Sequence, residues 1–298
     1  MRAMAEKWFR LRHALVPYLY SASWKNTLEG SPLIRPMYYE WPEEDAAYEA
    51  DHQYLFGDLL VAPITEKSRE LGMAEKKVWL PEGIWTDIFT NLTYTGGRWV
   101  SVFRDSGAMP VFAKAGTILP LDTAAENQCD KPEKLDVNVF SGDGSYILYE
   151  SQNEHIIFSV QTINNRLRLC ISGNKRKMTY HIHFSNIDDD KCSLEMNGEP
   201  ADMVTRRNRC LQVIFTLEAA ERAELTVDWK SKDRFEVIRE RILKCFIQLP
   251  LDNWYKEKQW EIARKIENMN DWLQWIDSLK LCEVGKEMLK ERLHSIRT

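Results

Sequence analysis

Glycine and proline divide this chain into two parts of different character. Residues 1–230 hold 12 of the 13 glycines and 10 of the 11 prolines, whereas residues 231–298 hold only Gly285 and Pro250. Both residue types end helices and make turns. The first part therefore has to be a turn-punctuated fold and the last 68 residues a helical one. In that tail Phe235, Ile238 and Ile242 recur at helical spacing, as do Ile262, Ile266 and Met269, and Leu289, Leu293 and Ile296. It carries 14 basic and 12 acidic residues, which describes a mixed-charge bundle or hairpin and not a basic arm.

The first part begins with helical spacing. Trp8, Leu11, Leu15, Tyr18 and Leu19 predict a helix over residues 5–28, kinked at Pro17 and ended by Gly30. Residues 31–39 (SPLIRPMYY) and 53–64 (QYLFGDLLVAPI) read as two buried apolar strands, with an acidic loop at residues 40–45 between them. A helix followed by continuous apolar strands is how an α/β layer reads. From Lys76 the period changes to two. Short runs at 78–80, 84–87, 99–103 and 110–112, broken by Pro81-Glu82-Gly83 and Gly96-Gly97, predict a β-sandwich. Runs at 135–140, 146–149, 156–162, 167–171, 178–184, 211–217 and 223–229 predict a second one, with turns at residues 141–144 and at Asn197-Gly198. The boundary between the two falls at residues 121–132. The fold class is thus mostly β, in four spans: 1–65, 66–122, 123–230 and a helical tail 231–298.

Composition narrows the function. The net charge is −5, which argues against a partner bound by broad phosphate neutralisation, so no nucleic acid is expected. No apolar run approaches the ~20 residues of a membrane span, so no membrane is expected either. Cys129, Cys170, Cys192, Cys210, Cys245 and Cys282 are scattered without CxxC spacing and read as reduced thiols of a cytoplasmic protein. The sequon Asn91-Leu92-Thr93 reads as a chance match.

Several side chains invite a chemical reading and have a plainer one. Glu40, Glu43, Glu44 and Asp45 could supply a carboxylate pair, but adjacent acids beside Pro42 read as a solvated turn. Arg35 reads as a structural ion-pair partner of a carboxylate such as Asp51, and Asp58 as a hydrogen-bonding residue of its strand. His181 and His183 share one strand face and could hold zinc. No third ligand lies near them in sequence, so they read as a solvent face opposite Tyr180, Ile182 and Phe184. Asp188-Asp189-Asp190 lacks the further oxygens calcium needs and reads as a charged turn. Trp254, Trp260, Trp272 and Trp275 could form a sugar platform, and read as helix core or interface.

Six segments in order resemble the C-terminal part of glycoside hydrolase family 31. Residues 12–20 (RHALVPYLY) resemble its RYxLLPYLY helix, and 30–42 (GSPLIRPMYYEWP) resemble GxPVxRPLxxEFP. Residues 51–57 (DHQYLFG), running into 60–63 (LVAP), resemble DxQFMxGxxLLVAPV; 79–87 (WLPEGIWTD) resemble YLPxGxWYD; 94–97 (YTGG) match YxGG; and 110–120 (PVFAKAGTILP) resemble PVFVRAGSIIP. Two departures stand out. Lys114 replaces the usual Arg, and Ser151-Gln152-Asn153 replaces an acidic DDG turn, which removes that turn's carboxylates. The tail after Trp229 lies outside the resemblance.

The resemblance implies a (β/α)8 catalytic barrel of which residues 1–65 are the last helix and two strands, then a proximal and a distal β-sandwich. It implies retaining hydrolysis of α-linked glucosides or xylosides by two carboxyl groups roughly 5–5.5 Å apart, with no cofactor. The family's catalytic aspartates and its sugar-binding His, Arg and Trp lie upstream of the RYxLLPYLY helix. No position here matches them, so no catalytic, substrate-binding or metal residue is assigned, and the chain alone is expected to be inactive. The alternative is a carbohydrate-binding or assembly module without chemistry. With six barrel strands missing, the strands in 31–39 and 53–64 are expected to expose Leu33, Ile34, Leu59, Leu60 and Val61. The helix is expected to lose cover from Trp8, Leu11, Leu15 and Leu19, and self-association through this segment or the helical tail would follow.

Overall fold

The computed structural model describes residues 2–124, 131–185, 187, 192–201, 205–207 and 210–295. It separates into two compact units, neither continuous in sequence. One comprises Met1–Arg35, Leu55–Leu59 and Ala113–Ser231, the other Pro36–Tyr54, Leu60–Phe112 and Lys232–Thr298.

The first unit opens with helices α1 (Arg2–Ala14) and α2 (Val16–Glu29). Proline has no N–H to give the preceding turn, so Pro17 kinks the helix at Leu15. Bonds from Leu15 N–H to Leu11 O and from Leu19 N–H to Leu15 O carry the ladder past the kink. Gly30 ends α2 in a left-handed conformation (φ +70°), donating its N–H to Asn26 O. The predicted strand at 31–39 shrinks to β1 (Ile34–Pro36), followed by one 3-10 turn over Met37–Tyr39. The predicted strand at 53–64 is two short strands, β2 (Tyr54–Phe56) and β3 (Leu59–Val61). Gly57 separates them at φ +61°, where a Cβ would lie 2.1 Å from the Tyr18 hydroxyl oxygen. That hydroxyl donates to Phe56 O (3.1 Å) and accepts the Asp58 N–H (2.7 Å). A continuous apolar run hides such a turn, and the glycine inside it is the only local sign.

In the second unit, residues 40–44 lead into the short helix α3 (Asp45–Glu49). Strands β4 (Ala74–Leu80) and β7 (Arg98–Arg104) pair antiparallel with Trp79 opposite Trp99, and β5 (Ile84–Asp87) pairs with β6 (Thr93–Thr95) with Trp85 opposite Tyr94. Strand β8 (Val111–Lys114) begins beside β5, whose neighbour Ile88 donates to Val111 O. Ala62 N–H donates to Pro110 O (3.1 Å), and Leu59, Leu60, Val61 and Ala62 are buried. The exposure expected of β3 is therefore corrected, because its backbone continues into a paired neighbour. Ile34, by contrast, is exposed as expected.

Eleven further strands in the first unit build a two-sheet sandwich: β9 (Ile118–Leu121), β10 (Lys134–Phe140), β11 (Gly144–Ser151), β12 (Glu154–Ile163), β13 (Arg166–Ser172), β14 (Met178–Ser185), β15 (Cys192–Met196), β16 (Glu199–Pro200), β17 (Thr205–Arg207), β18 (Cys210–Leu217) and β19 (Ala223–Trp229). One sheet runs β17-β18-β14-β10-β9 and the other β11-β12-β13-β19-β15-β16. Neighbours are antiparallel except β10 and β14, which run parallel. The period-two pattern gives each strand one core face, and Leu135, Val137, Tyr180, Ile182, Phe158, Leu169 and Val227 fill the space between the sheets. Strand β9, read from sequence as part of the preceding span, pairs with β10 here.

Helix α2 lies against β11 of this sandwich. Tyr18 stacks on Tyr146 with ring centroids 5.8 Å apart, Trp24 stacks on Tyr149 at 6.0 Å, and Ser21 Oγ accepts the Tyr149 N–H. The helix therefore has a covered face, contrary to the loss of cover expected of it; Trp8, Leu11, Leu15 and Leu19 are half-buried while Ala14, Pro17, Tyr18 and Ser21 are buried.

The remaining helices, α4 (Arg234–Gln248), α5 (Asn253–Ala263), α6 (Met269–Ser278) and α7 (Glu283–His294), belong to the second unit. Asp233, Asp252 and Asn268 cap α4, α5 and α6 by accepting first-turn N–H groups. Their apolar stripes meet in a core of Ile238, Ile242, Phe246, Trp272, Ile276 and Leu289. Among the described residues no helix is long and apolar enough to cross a membrane.

Candidate functional site

The acidic candidates are solvated. Glu43, Glu44 and Asp45 are exposed, with Asp45 opening the one-and-a-half turns of α3. Arg35 is buried and donates to Pro32 O at 2.9 Å, to Gly57 O at 3.0 Å and to Ser31 Oγ at 3.5 Å. Asp51, its expected partner, lies 3.2 Å from His52 Nδ1. Arg35 thus ties β1 to the turn between β2 and β3. Asp58 enters the structure through its backbone N–H on Tyr18. Of the tail tryptophans, Trp272 and Trp275 are core, with Trp275 also edge-on to Phe246 at 5.3 Å. Trp254 is exposed, and Lys258 Nζ sits 3.7 Å over its ring. Residues 188–190 lie outside the described residues, as does Cys129; Cys170, Cys245 and Cys282 are free thiols.

The histidine pair is different from its sequence reading. His181 and His183 are only 17% and 16% exposed, so they are not an open solvent face. The parallel register sets Asp136 of β10 directly beside His181 of β14, and the polar parity of β10 aims its carboxylate at both rings. Asp136 Oδ1 lies 2.8 Å from His181 Nδ1 and 3.1 Å from His183 Nε2, and the ring centroids are 4.3 Å apart. Thr123, just past β9, donates its hydroxyl to Asp136 Oδ2, and Lys134 Nζ stands 4.0 Å from the same oxygen. Burial by itself would raise the Asp136 carboxyl. Hydrogen bonds from His183 and Thr123 and the nearby Lys134 charge outweigh it and hold the group below its ordinary value. His181 is pushed down by burial first and by the neighbouring His183 second, which favours the neutral imidazole. Sequence reasoning missed Asp136 because it is 47 residues from His183 and only the parallel pairing unites them. The available sign was its place among the polar-parity residues Lys134, Asp136 and Asn138 of an alternating strand.

A second buried polar cluster lies in the other unit. Arg104 donates to Asp87 Oδ2 (2.7 Å) and to Glu291 Oε1 (2.8 Å). Glu291 also accepts from the Tyr94 hydroxyl (2.6 Å) and the Phe103 N–H (3.2 Å). Arg104, Asp87 and Glu291 are all 2% exposed or less. This cluster is a closed structural lock between α7 and the strands.

The motif segments contact one another as backbone supports. Gly96 admits no side chain, since a Cβ would lie 1.8 Å from Pro81 O, and its N–H donates to Gly83 O. Trp85 Nε1 donates to that same Pro81 carbonyl. The Gln53 amide pairs with both the N–H and the C=O of Trp79, and Trp41 packs edge-on against Trp79 and Trp85. Residues 30–119, which contain all of these contacts, match the glycosyl hydrolase family 31 C-terminal domain. The chain carries a family 31 glycoside hydrolase C-terminal region.

Its relatives include an α-xylosidase of Saccharolobus solfataricus, 32% identical over 148 residues, which are 48% of this chain and 20% of that protein. An α-glucosidase of Bacillus thermoamyloliquefaciens is 27% identical over 181 residues, 59% of this chain and 22% of the relative. Among solved structures, the cycloalternan-forming enzyme of Listeria monocytogenes superposes with a TM-score of 0.63 at 27% identity, over 76% of this chain and 23% of that one. The chain thus spans about a fifth of the length of the relatives it matches. Within this family 31 region the shared motifs hold turns and tryptophans in place. The Asp136 cluster lies outside the matched residues, and the lock joins Asp87, Tyr94, Phe103 and Arg104 inside them to Glu291 outside.

Proposed function

We propose that this chain is the C-terminal portion of a retaining α-glycosidase acting on α-linked glucosides or xylosides. In this reading residues 1–65 complete a (β/α)8 catalytic barrel, 66–122 and 123–230 are its proximal and distal β-sandwiches, 231–298 is an added helical tail, and the whole works in the cytoplasm. The observation that carries the reading is the family match over residues 30–119. Support comes from the relatives, whose names are α-xylosidase and α-glucosidase and whose chains are more than twice as long. Support comes too from Phe9, Leu28 and Ile34, large apolar side chains about 60% exposed on the N-terminal segment, where further barrel elements would cover them. Retaining chemistry needs a nucleophilic carboxylate and an acid/base carboxyl on opposite sides of the scissile bond. Here the acidic side chains of residues 43–45 face solvent, and the pair would come from upstream barrel strands. This portion would brace the barrel.

The test is to assay the 298-residue chain, and a longer form that includes an upstream barrel, on nitrophenyl α-glucoside and α-xyloside. The chain alone is expected to give no turnover above buffer and the longer form to be active. Turnover by the chain alone that disappears on mutating one of its own carboxylates would overturn the reading. An inactive longer form that still retains α-glucans on affinity gels would favour a binding module.

A further inference from the structure

Asp136, His181 and His183 bring their ligand atoms within 4.8 Å of one another, on two adjacent strands that hold their spacing. The site is built and not incidental. Thr123 occupies Asp136 Oδ2 and leaves Oδ1 toward the two imidazoles, the arrangement by which an outer hydrogen bond orients a ligating carboxylate. Both ring nitrogens of His181 are buried without a well-aligned hydrogen bond, although Nδ1 is only 2.8 Å from Asp136 Oδ1. A close approach without alignment leaves a lone pair unused, and a cation between the two atoms would use it.

We infer that Asp136, His181 and His183 form a three-ligand site for a divalent transition-metal ion, Zn2+ fitting best, with a fourth position open to water. Two imidazoles and one carboxylate suit zinc, whereas calcium and magnesium take oxygen donors. Tetrahedral bonds of roughly 2.0–2.1 Å place ligand atoms roughly 3.3–3.4 Å apart. The Asp136–His181 and Asp136–His183 pairs, now at 2.8 and 3.1 Å, need to open by about half an ångström or less, and the two imidazole nitrogens, within 4.8 Å of each other, need to close toward the same spacing. Lys134 opposes the ion, so the site is moderate in affinity. The bound ion would pin β10 to β14 and, through Thr123, the segment after β9. This inference is independent of the glycosidase reading, since it concerns the sandwich of the first unit alone.

The experiment uses the tag-free full chain, stripped with EDTA, dialysed against micromolar Zn2+ and measured for metal after gel filtration. One zinc per chain is expected, with no calcium retained under the same conditions. His183→Ala and Asp136→Ala are each expected to lose that zinc while keeping the wild-type circular dichroism. Thr123→Val should weaken binding about 10–100-fold. Cobalt substituted for zinc should give the visible bands of a nitrogen–oxygen site without a thiolate charge-transfer band. Zinc retained by both alanine variants, a thiolate band, or a wild-type chain that holds no zinc would each overturn the inference.

Discussion

Two polar clusters among the described residues, one in each unit, are withdrawn from solvent and end in opposite states. In the second unit Arg104, Asp87, Glu291 and Tyr94 close on one another, and the Phe103 N–H takes the remaining Glu291 oxygen. In the first unit Asp136 serves two imidazoles, one of which keeps two buried nitrogens without aligned partners. A buried polar group with every bond made fixes a structure, and one with bonding capacity left over is where a ligand can add free energy. The difference also separates roles: the first cluster fastens a helix that lies outside the matched family domain, and the second lies open to an ion.

The largest expected effect tests the closed cluster. Arg104→Met removes the only cation placed between the Asp87 and Glu291 carboxylates in these hydrogen bonds and leaves both buried. Breaking a buried ion pair from one side costs about 3–5 kcal/mol. Urea unfolding followed by tryptophan fluorescence should show a loss of that size, with amide exchange accelerated in α7 and β7 but not in β14. A loss under about 1 kcal/mol would mean the cluster is solvated, and the contrast with Asp136 would collapse.

Acid should act on α7, which carries Glu291 and His294, in two stages. His294 is pushed down by burial first and by the Arg98 charge second. Burial would raise Glu291, but Arg104 and Arg292 outweigh it and hold it below its ordinary value. A group whose folded pKa lies below its unfolded one binds its proton more readily when unfolded, so its stabilisation is full above the unfolded pKa and is lost as pH falls. The His294 contribution should fade from about pH 6.5 downward and the Glu291 contribution from about pH 4.3 downward. Unfolding midpoints measured at neutral pH and at successively lower pH should fall in those two windows, and His294→Gln should shrink the first fall, to which the buried His181 also contributes, and leave the second. Stability that rises through the first window would contradict the His294 assignment, and stability that rises through the second the Glu291 assignment.

These clusters also mark what could be read from sequence. Turns were legible where glycine or proline encodes them directly: the Leu80–Gly97 region folds as its Pro81, Gly83 and Gly96 demand, because Gly96 lies where no side chain fits. Strands of the second sandwich were legible because alternation has one solution when both sheets bury one face. The β2–β3 turn was not, since apolar residues on both sides of Gly57 mimic one buried strand. The packing of α2 on β11 was hidden because nothing local pairs Tyr18 with Tyr146, 128 residues downstream. Glu291 looked like any acid on an amphipathic helix, and Arg104, 187 residues away, gave no sign of it. The family resemblance was legible in short motifs, but its catalytic aspartates match no position here. For the same reason no catalytic residue could be named, and the one candidate site arises from register and not from a motif.

The smallest effect sharpens the open cluster. Lys134 Nζ stands 4.0 Å from Asp136 Oδ2 and is 40% exposed. Without metal it forms a partly exposed ion pair, worth about 0–1 kcal/mol, so Lys134→Gln should leave the unfolding midpoint nearly unchanged. With Zn2+ bound, the same ammonium repels the ion. At separations near 4 Å in high dielectric, two unit charges interact by about 1 kcal/mol, and the solvent that reaches Lys134 keeps the effect below a few such units. Removing the charge should therefore tighten zinc binding by about two- to fivefold at low salt, a change of under about 1 kcal/mol. The gain should shrink as ionic strength rises and the Debye length falls to about 10 Å and below. Titration of wild type and Lys134→Gln with zinc at two salt concentrations reads both the sign and the screening. Weaker binding in the variant would mean that Lys134 supports the site instead of opposing it. A gain that persists unchanged at high salt would mean that it acts by shape, by no longer crowding the Asp136 carboxylate, and not by charge.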